Sequence, residues 1–436
     1  MLDINFIREN IDVVRAAIKN KRSDVDLDNL LEIDNKRRDL ITKVEEIRQQ
    51  RNEINKSLSS APSPEIIEKG KELKLKLDEL EPQLEEVTNE FNALMIFVPN
   101  IPASDVPIGA SEDENQVVRK WGEPTSFDFE PKDHLELGQK LGIIETEKAA
   151  KVSGARFAYL LGEAVFLQFA LIQHTFKLLQ NETILKELAN KIDPAINYKK
   201  FIPVIVPDMI KPDVYTKMGR LDPVQAEERY HLAKDDMYLI GSAEHTLGPI
   251  HMDEIIPEDQ FPIRYVGYST SFRREAGSYG KDTKGLIRMH QFDKIEMETF
   301  SLPELSTKEQ DFIVAIQEHL VQSLNIPYQV IAVCTGDMGG PDARQFDIEC
   351  WMPGQQKYRE THTSDLMTDY QSRRLNTRVR RKDGTVEYVH MNDATAFAIG
   401  RILVAIIENY QQEDGSIKVP EALVPYTGFD VIAVKN

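Results

Sequence analysis

The chain has 436 residues, too many for one ordinary domain at about 100–200 residues each. Aromatic residues make up 8% and charged residues 29%, close to globular averages, so the chain as a whole is not disordered. Its formal charge is −19, which excludes a protein that coats nucleic acid indiscriminately, because phosphate contacts need clustered Lys and Arg; a local basic surface stays open.

Cys334 and Cys350 are the two cysteines, too few for a disulfide framework or a Cys-rich zinc site, and no zinc is expected. No apolar run reaches the roughly 18 residues of a membrane span. The opening MLDINFIREN places Asp3 and Glu9 where a signal peptide would be basic and then apolar. A cytoplasmic protein without membrane partners is expected.

From Leu30 to Leu58 a seam runs through Leu30, Ile33, Arg37, Leu40, Val44, Ile47, Arg51, Ile54 and Leu58. A second runs through Ile66, Gly70, Leu73, Leu77, Leu80, Leu84, Val87, Phe91 and Leu94. Alternating steps of three and four keep one stripe facing a partner helix. The Ser- and Pro-rich stretch Ser57–Pro64 between them reads as a turn, so an antiparallel coiled-coil hairpin is predicted over about 27–97. Pro82 is a predicted kink. From Lys43 to Lys76 there are eight Lys/Arg and six Asp/Glu, whereas Leu77 to Leu94 holds six Asp/Glu and no Lys/Arg. The tip is the less acidic end. It reads either as a spacer with solvated charges or as an RNA-touching arm. Prolines at Pro99, Pro102 and Pro107 end the helical region, and the predicted domains are 1–108 and 109–436.

Beyond the prolines, Phe157–Leu179 reads as a long core helix. β-like runs follow at Phe201–Val206, Arg264–Ser269, Arg288–Glu298, Tyr328–Val333, Phe346–Trp351 and Thr385–His390. Irregular segments separate them, so a mainly antiparallel sheet flanked by helices is predicted, an α+β fold. The familiar glycine-rich phosphate loops are absent, so any nucleotide must be held by side chains. Phe272-Arg273-Arg274-Glu275, the Gly-rich Gly277–Gly280 and Arg288–Glu296 read as strand, loop, strand. On a strand alternate residues share a face. Arg273 suits a phosphate, Glu275 an exocyclic amine and Phe292 a stacked base; the plainer reading is a solvated strand with cross-strand ion pairs. Glu360-Thr361-His362-Thr363, near Glu349, offers the hard oxygens that suit Mg²⁺. Residues 391–401 lead into a buried helix carrying Arg401, whose charge needs an anion or a carboxylate partner.

These segments, in this order, resemble motifs 2 and 3 of class II aminoacyl-tRNA synthetases with the acidic segment between them. TSFRREAGSYGKDTKGLIRMHQFDKIEM and IGRILVAIIENYQQEDGSIKVPEALVPY resemble the seryl-tRNA synthetase family in particular, of bacterial type. VPNIPASDVPIG resembles that family's hinge after a helical arm.

The resemblance implies that serine and ATP give seryl-adenylate, and that the seryl group passes to the 3′ end of tRNA(Ser), and also of tRNA(Sec). It implies a class II catalytic domain, a homodimer with Pro207 at its interface, and ATP and Mg²⁺. Arg273 would hold the α-phosphate as the catalytic residue, Glu275 the adenine amine, Phe292 the adenine ring and Arg401 the γ-phosphate. Arg274, Thr361 and His362 fall within the ATP-binding segments, and Glu360 and Thr363 would bind Mg²⁺. Glu296 would grip the serine amine, Ser242-Ala243-Glu244 matches the serine loop, and Thr395 would meet the serine side chain. Three positions depart from the family: Ser242 stands for its Thr, Asp393 for its Asn, and His362 for a Ser. The alternatives are a synthetase-like ligase with a non-tRNA acceptor, a non-catalytic coiled-coil protein, and a phenylalanine-type synthetase, whose pocket would want apolar lining.

Overall fold

Apolar residues three and four apart wind into two long helices, α1 (Leu27–Ser57) and α2 (Pro64–Met95), which follow two short ones at Ile4–Glu9 and Ile11–Asn20. The structure is a computed structural model; it describes all residues except 58–63, 277–284 and 435–436. The seam expected from spacing is the buried stripe: Leu30, Ile33, Leu40 and Val44 on α1, and Leu73, Leu77, Val87 and Phe91 on α2. The pairing is antiparallel, since Arg37 lies over the Phe91 ring at 4.3 Å and Arg48 meets Glu81 at 2.7 Å. Arg37, a poor seam residue on paper, covers Phe91 with its planar cation and bonds Asp34 at 3.2 Å. Pro82 is accommodated inside α2. The expected turn at 58–63 lies outside the described residues.

The chain divides into two compact units, Met1–Pro99 and Asn100–Asn436. Residues from 100 on, grouped on sequence with the arm as far as 108, bond within the second unit. Asn100 donates from its backbone to Gly340, and from its side-chain amide to the carbonyls of Pro341 and Met367, each at 2.9 Å.

The second unit is built on eight strands: β1 (Gln116–Trp121), β2 (Ile202–Ile205), β3 (Ile263–Phe272), β4 (Gln291–Ser301), β5 (Tyr328–Ala332), β6 (Arg344–Met352), β7 (Lys357–Thr368) and β8 (His390–Ala398). Their order is β1-β5-β6-β7-β8-β4-β3-β2. Every pair is antiparallel except β2 with β3. One face of the sheet is apolar, through Ile295, Met297, Val330, Ile348 and Phe397. It packs on α3 (Glu163–Leu179), α4 (Ser306–Ser323) and α5 (Ile399–Asn409), which supply Leu167, Leu171, Phe312, Ile316, Ile402 and Ile406. The other face of β4, β7 and β8 carries polar side chains.

Three expected elements change. The helix predicted from Phe157 begins at Glu163, because Gly162 takes a φ of 52° and Tyr159–Leu160 pairs as a short strand with Ile144–Glu145. The strand predicted from Arg288 begins at Gln291. Thr385–His390 resolves into Val386–Tyr388 and the start of β8. The sequence reading missed β7, whose KYRETHTSDLMT is polar on the cavity side.

Arg264 of β3 ties the sheet to α4. It donates to both oxygens of Glu309, the second at 2.8 Å, and to the Lys199 carbonyl at 2.9 Å, with both side chains buried. Removing one partner of such a pair strands a buried charge. Glu309→Ala is expected to destabilise the second unit by about 3–5 kcal/mol, read as a lowered urea midpoint; an unchanged midpoint would show the pair to be dispensable.

Candidate active site

At the open end of the β3–β4 ladder, Phe272 pairs with Gln291. The pairing runs on one step further: Arg273 N–H donates to His290 O at 3.0 Å, and the His290 ring bonds Arg273 O at 2.9 Å. Glu275 then adopts a φ of 52°, which turns the chain. Arg273, Glu275, Arg288 and Phe292 thus line one cavity with Lys294, Glu360, Thr363, Thr395 and Arg401. The Arg273 guanidinium sits 5.4 Å from the Phe292 ring centre and donates to Gly241 O at 3.1 Å. Arg288 bonds the Glu275 carboxylate. Burial, and then the neighbouring Arg229, lower the Arg273 pKa. An anion between these cations would relieve both effects. The Gly-rich segment expected at 277–280 lies outside the described residues.

The opposite wall comes from β7 and α5. Glu349 of β6 faces Glu360, while Ile348 faces His362, so Thr361 is an extra residue in β7. This bulge returns Glu360 and Thr363, three apart, to the cavity side. Arg401 donates to the Glu360 carboxylate at 2.7 Å and to its carbonyl at 3.0 Å. Burial pushes Glu360 up, but Arg401 outweighs it and the pKa is lowered. Asp347, facing Thr363 on β6, is driven well above the carboxylate range by burial and by Glu360. A divalent cation would lower the mutual repulsion of these oxygens, so the donor set of Glu360 and Thr363 fits a hard cation such as Mg²⁺.

At its inner end the cavity reaches Lys294 and Thr395, and hydrogen bonds lead from them to buried groups. Thr395 donates to Glu296 Oε1 at 3.0 Å, Ser242 donates to the same oxygen at 3.1 Å, and Lys294 bonds Ser242 Oγ at 3.2 Å and also Glu296. Among the described residues Glu296 Oε2 has no hydrogen-bond partner. Burial raises the Glu296 pKa in spite of Lys294. Glu244 behaves in the opposite way: burial acts against its charge, but Arg220, His245 and Lys294 hold it well below the usual range. Gly241 N–H donates to His245 Nδ1 at 3.1 Å, which leaves the proton on Nε2, 3.3 Å from Glu244 Oε1. This end is small and polar, with hydroxyl and carboxylate oxygens.

Three of the expected residues stand elsewhere. Arg274 is exposed and does not line the cavity. His362 falls on the core side because the bulge sits just before it; it bonds Thr361 at 2.8 Å and its ring lies 5.4 Å from Phe397. Ala243 is buried in a small apolar cluster beneath the site. Sequence reasoning missed Arg220, Asp347 and Asp365. Asp365 is buried and Arg220 and Asp347 are partly buried, and only pairing between distant segments brings them together.

Residues 1–102 match the seryl-tRNA synthetase N-terminal domain, and residues 228–410 match the tRNA synthetase class II core domain (G, H, P, S and T). The chain is 41% identical to the serine–tRNA ligase of Thermotoga neapolitana, over 99% of this chain and 100% of that one. It is 40% identical to that of Borreliella burgdorferi, over the full length of both. The chain belongs to the seryl-tRNA synthetase family. The fold agrees. A crystal structure of seryl-tRNA synthetase from Pyrococcus horikoshii complexed with ATP matches with a TM-score of 0.86 at 35% identity, covering 100% of both chains. The cytoplasmic serine–tRNA ligase of Naegleria fowleri in complex with AMP matches at 0.84 and 30% identity, covering 100% of this chain and 99% of that one.

Burial, the largest cause for each, pushes His245 and His362 down to about 3. In the unfolded chain both take up protons near 6.5. Their contribution to stability is therefore complete above that pH and is lost progressively as the pH falls toward the folded value. In a histidine NMR titration both rings should stay neutral from about pH 8 to about pH 5. A midpoint near 6.5 for either ring would contradict the buried geometry.

Proposed function

We infer that the protein activates serine with ATP, releasing pyrophosphate, and transfers the seryl group from seryl-adenylate to the 3′ end of tRNA(Ser). The observation that carries this reading is one cavity whose arginine-and-phenylalanine wall runs to Lys294 and Thr395, from which hydrogen bonds lead to the buried Ser242 and Glu296. Nucleotidyl transfer needs positioning and charge neutralisation more than a protein nucleophile. Arg273 meets the α-phosphate and stabilises charge as the bond to pyrophosphate breaks. Phe292 stacks the adenine, Glu275 accepts from its amine, and Arg401 meets the γ-phosphate. Glu360 and Thr363 would hold Mg²⁺, which would neutralise phosphate charge.

Glu296 and Glu244 take the serine ammonium, and Thr395 takes the hydroxyl. Glu296 Oε2, buried and without a partner among the described residues, supports this, because a cationic ligand would satisfy it. A site that hydrogen-bonds a hydroxyl strongly rejects the analogue lacking it, which favours serine over alanine.

The hairpin at about 27–97, within an arm of 1–108, is the proposed tRNA contact. A ligase with a non-tRNA acceptor has no use for it. A tRNA(Sec) substrate and a cytoplasmic location follow from the same family reading, and no helix among the described residues is long and apolar enough to cross a membrane. A homodimer is proposed on an apolar surface. β2 is an edge strand of the sheet, with Ile202 exposed and Ile205 85% exposed, and Phe166 and Phe169 stand exposed on α3. A second copy would cover an edge that otherwise invites unwanted pairing. The exposed Pro207 lies beside that edge.

Arg273→Ala is expected to lower serine-dependent ATP–pyrophosphate exchange by at least about 100-fold, and wild-type exchange would refute the ATP assignment. Removing residues 30–94 should spare exchange and abolish tRNA charging; charging that persisted would make the hairpin a spacer.

A further inference from the structure

Cross-strand register places three carboxylates side by side. Glu298 of β4 faces Asp393 of β8, and Asp393 faces Asp365 of β7. All three are buried on the cavity side of the sheet. Like charges directly opposite one another destabilise a sheet, so the row needs compensation. Among the described residues neither Glu298 oxygen has a hydrogen-bond partner. Burial, then Asp393 and Glu244, drive its carboxyl well above the usual range, and burial likewise raises Asp393 and Asp365 in spite of Arg220.

The aspartates are answered by Arg220, which follows Gly219 (φ 71°) beyond the helix Pro212–Lys217. Its Nη2 lies 3.3 Å from Asp393, 3.8 Å from Asp365 and 3.9 Å from Asp342, while its Nε lies 3.4 Å from Glu244 Oε1. One planar fork therefore faces the carboxylate row with one nitrogen and the serine-loop glutamate with another.

We propose that Arg220 is a positioning residue for amino-acid binding, oriented by Asp393 and Asp365 and in turn fixing the Glu244 carboxylate beside Ser242 and Glu296. The proposal rests on the reading of Glu244 as a serine-binding residue. It also gives a role to Asp393, where the family's asparagine is expected: its Oδ2 accepts from Arg220 at 3.3 Å. Lysine carries the charge but not the fork, and cannot face Asp393 and Glu244 with two nitrogens at once.

The test is serine-dependent pyrophosphate exchange with the full-length chain, read as separate KM values for serine and ATP, with thermal unfolding in parallel. Arg220→Lys should fold, raise the serine KM about tenfold and leave the ATP KM unchanged. In Arg220→Met with Asp393→Asn the charges are removed together, so the melting temperature should approach wild type while the serine KM stays raised. A purely structural Arg220 predicts the reverse, a wild-type serine KM in the double variant, and that result overturns the proposal. If the double variant does not fold, a wild-type serine KM in Arg220→Lys overturns it alone. Glu244→Gln separates the two layers. A wild-type serine KM there refutes the serine-loop reading, and the proposal with it. An impaired Glu244→Gln beside a wild-type Arg220→Lys refutes only the role of Arg220.

Discussion

Antiparallel strands give side chains a period of two, and the cavity needs that period broken twice. Thr361 is the extra residue in β7, and Ala396 is the extra residue in β8, where Ile295 faces Phe397 but Glu296 faces Thr395. The first bulge puts Glu360 and Thr363 on one face, and the second sets the Thr395 hydroxyl against Glu296. One buried amide stands behind both. Gln317 of α4 donates to the carbonyls of Thr363 and Thr395, each at 2.8 Å. Bulges disturb the ladder locally, and a buried carbonyl left without a donor carries a desolvation penalty. Gln317 supplies the donor from the core side, so the polar face of the sheet depends on a contact made beneath it.

The same division explains how so many charges are buried. Lys294, Glu296 and Glu298 alternate on β4 with Ile295 and Met297, so each charge faces the cavity and each apolar residue faces the helices. On the cavity face cations are placed among the acids: Arg401 at Glu360, Lys294 at Glu296, Arg220 at Glu244 and Asp393. Burying a charge without a partner is unfavourable by several kcal/mol, so the cations are part of the fold as well as of the site. The chain's −19 describes the whole chain, whereas the wall formed by Arg273, Arg288 and Arg401 is locally cationic.

Much of this was legible in the sequence, for reasons that are physical. The hairpin could be read because its stripe repeats over many turns, and Leu30, Val44, Leu77 and Phe91 are buried where the spacing put them. Arg273, Glu275 and Phe292 could be read because they are close in sequence and lie at one strand end. β7 was hidden because its cavity face carries Glu360, Thr363 and Asp365, and such a run looks like a loop. Arg274 and His362 were assigned by proximity to true lining residues. A bulge of one residue moves His362 to the other face, and no local pattern announces it. Arg220 comes from a segment without a recognisable pattern, and its four partners, Glu244, Asp342, Asp365 and Asp393, arrive from four other places in the chain.

The three departures from the family pattern resolve differently. Ser242 lacks the methyl of a threonine but keeps the hydroxyl, which donates to Glu296 at 3.1 Å; the polar contact survives and only bulk is lost. His362 faces Phe397 in the core, so its bulk is a matter of packing and leaves the oxygens of Glu360 and Thr363 untouched. Asp393 alone puts an acidic group in place of an amide. It faces Glu298 across the ladder and lies 3.3 Å from Arg220. A lone aspartate there would repel Glu244 and raise its pKa. With Arg220 shared between Asp393 and Glu244, burial still raises the Asp393 pKa, while Arg220 holds Glu244 well below the usual carboxylate range.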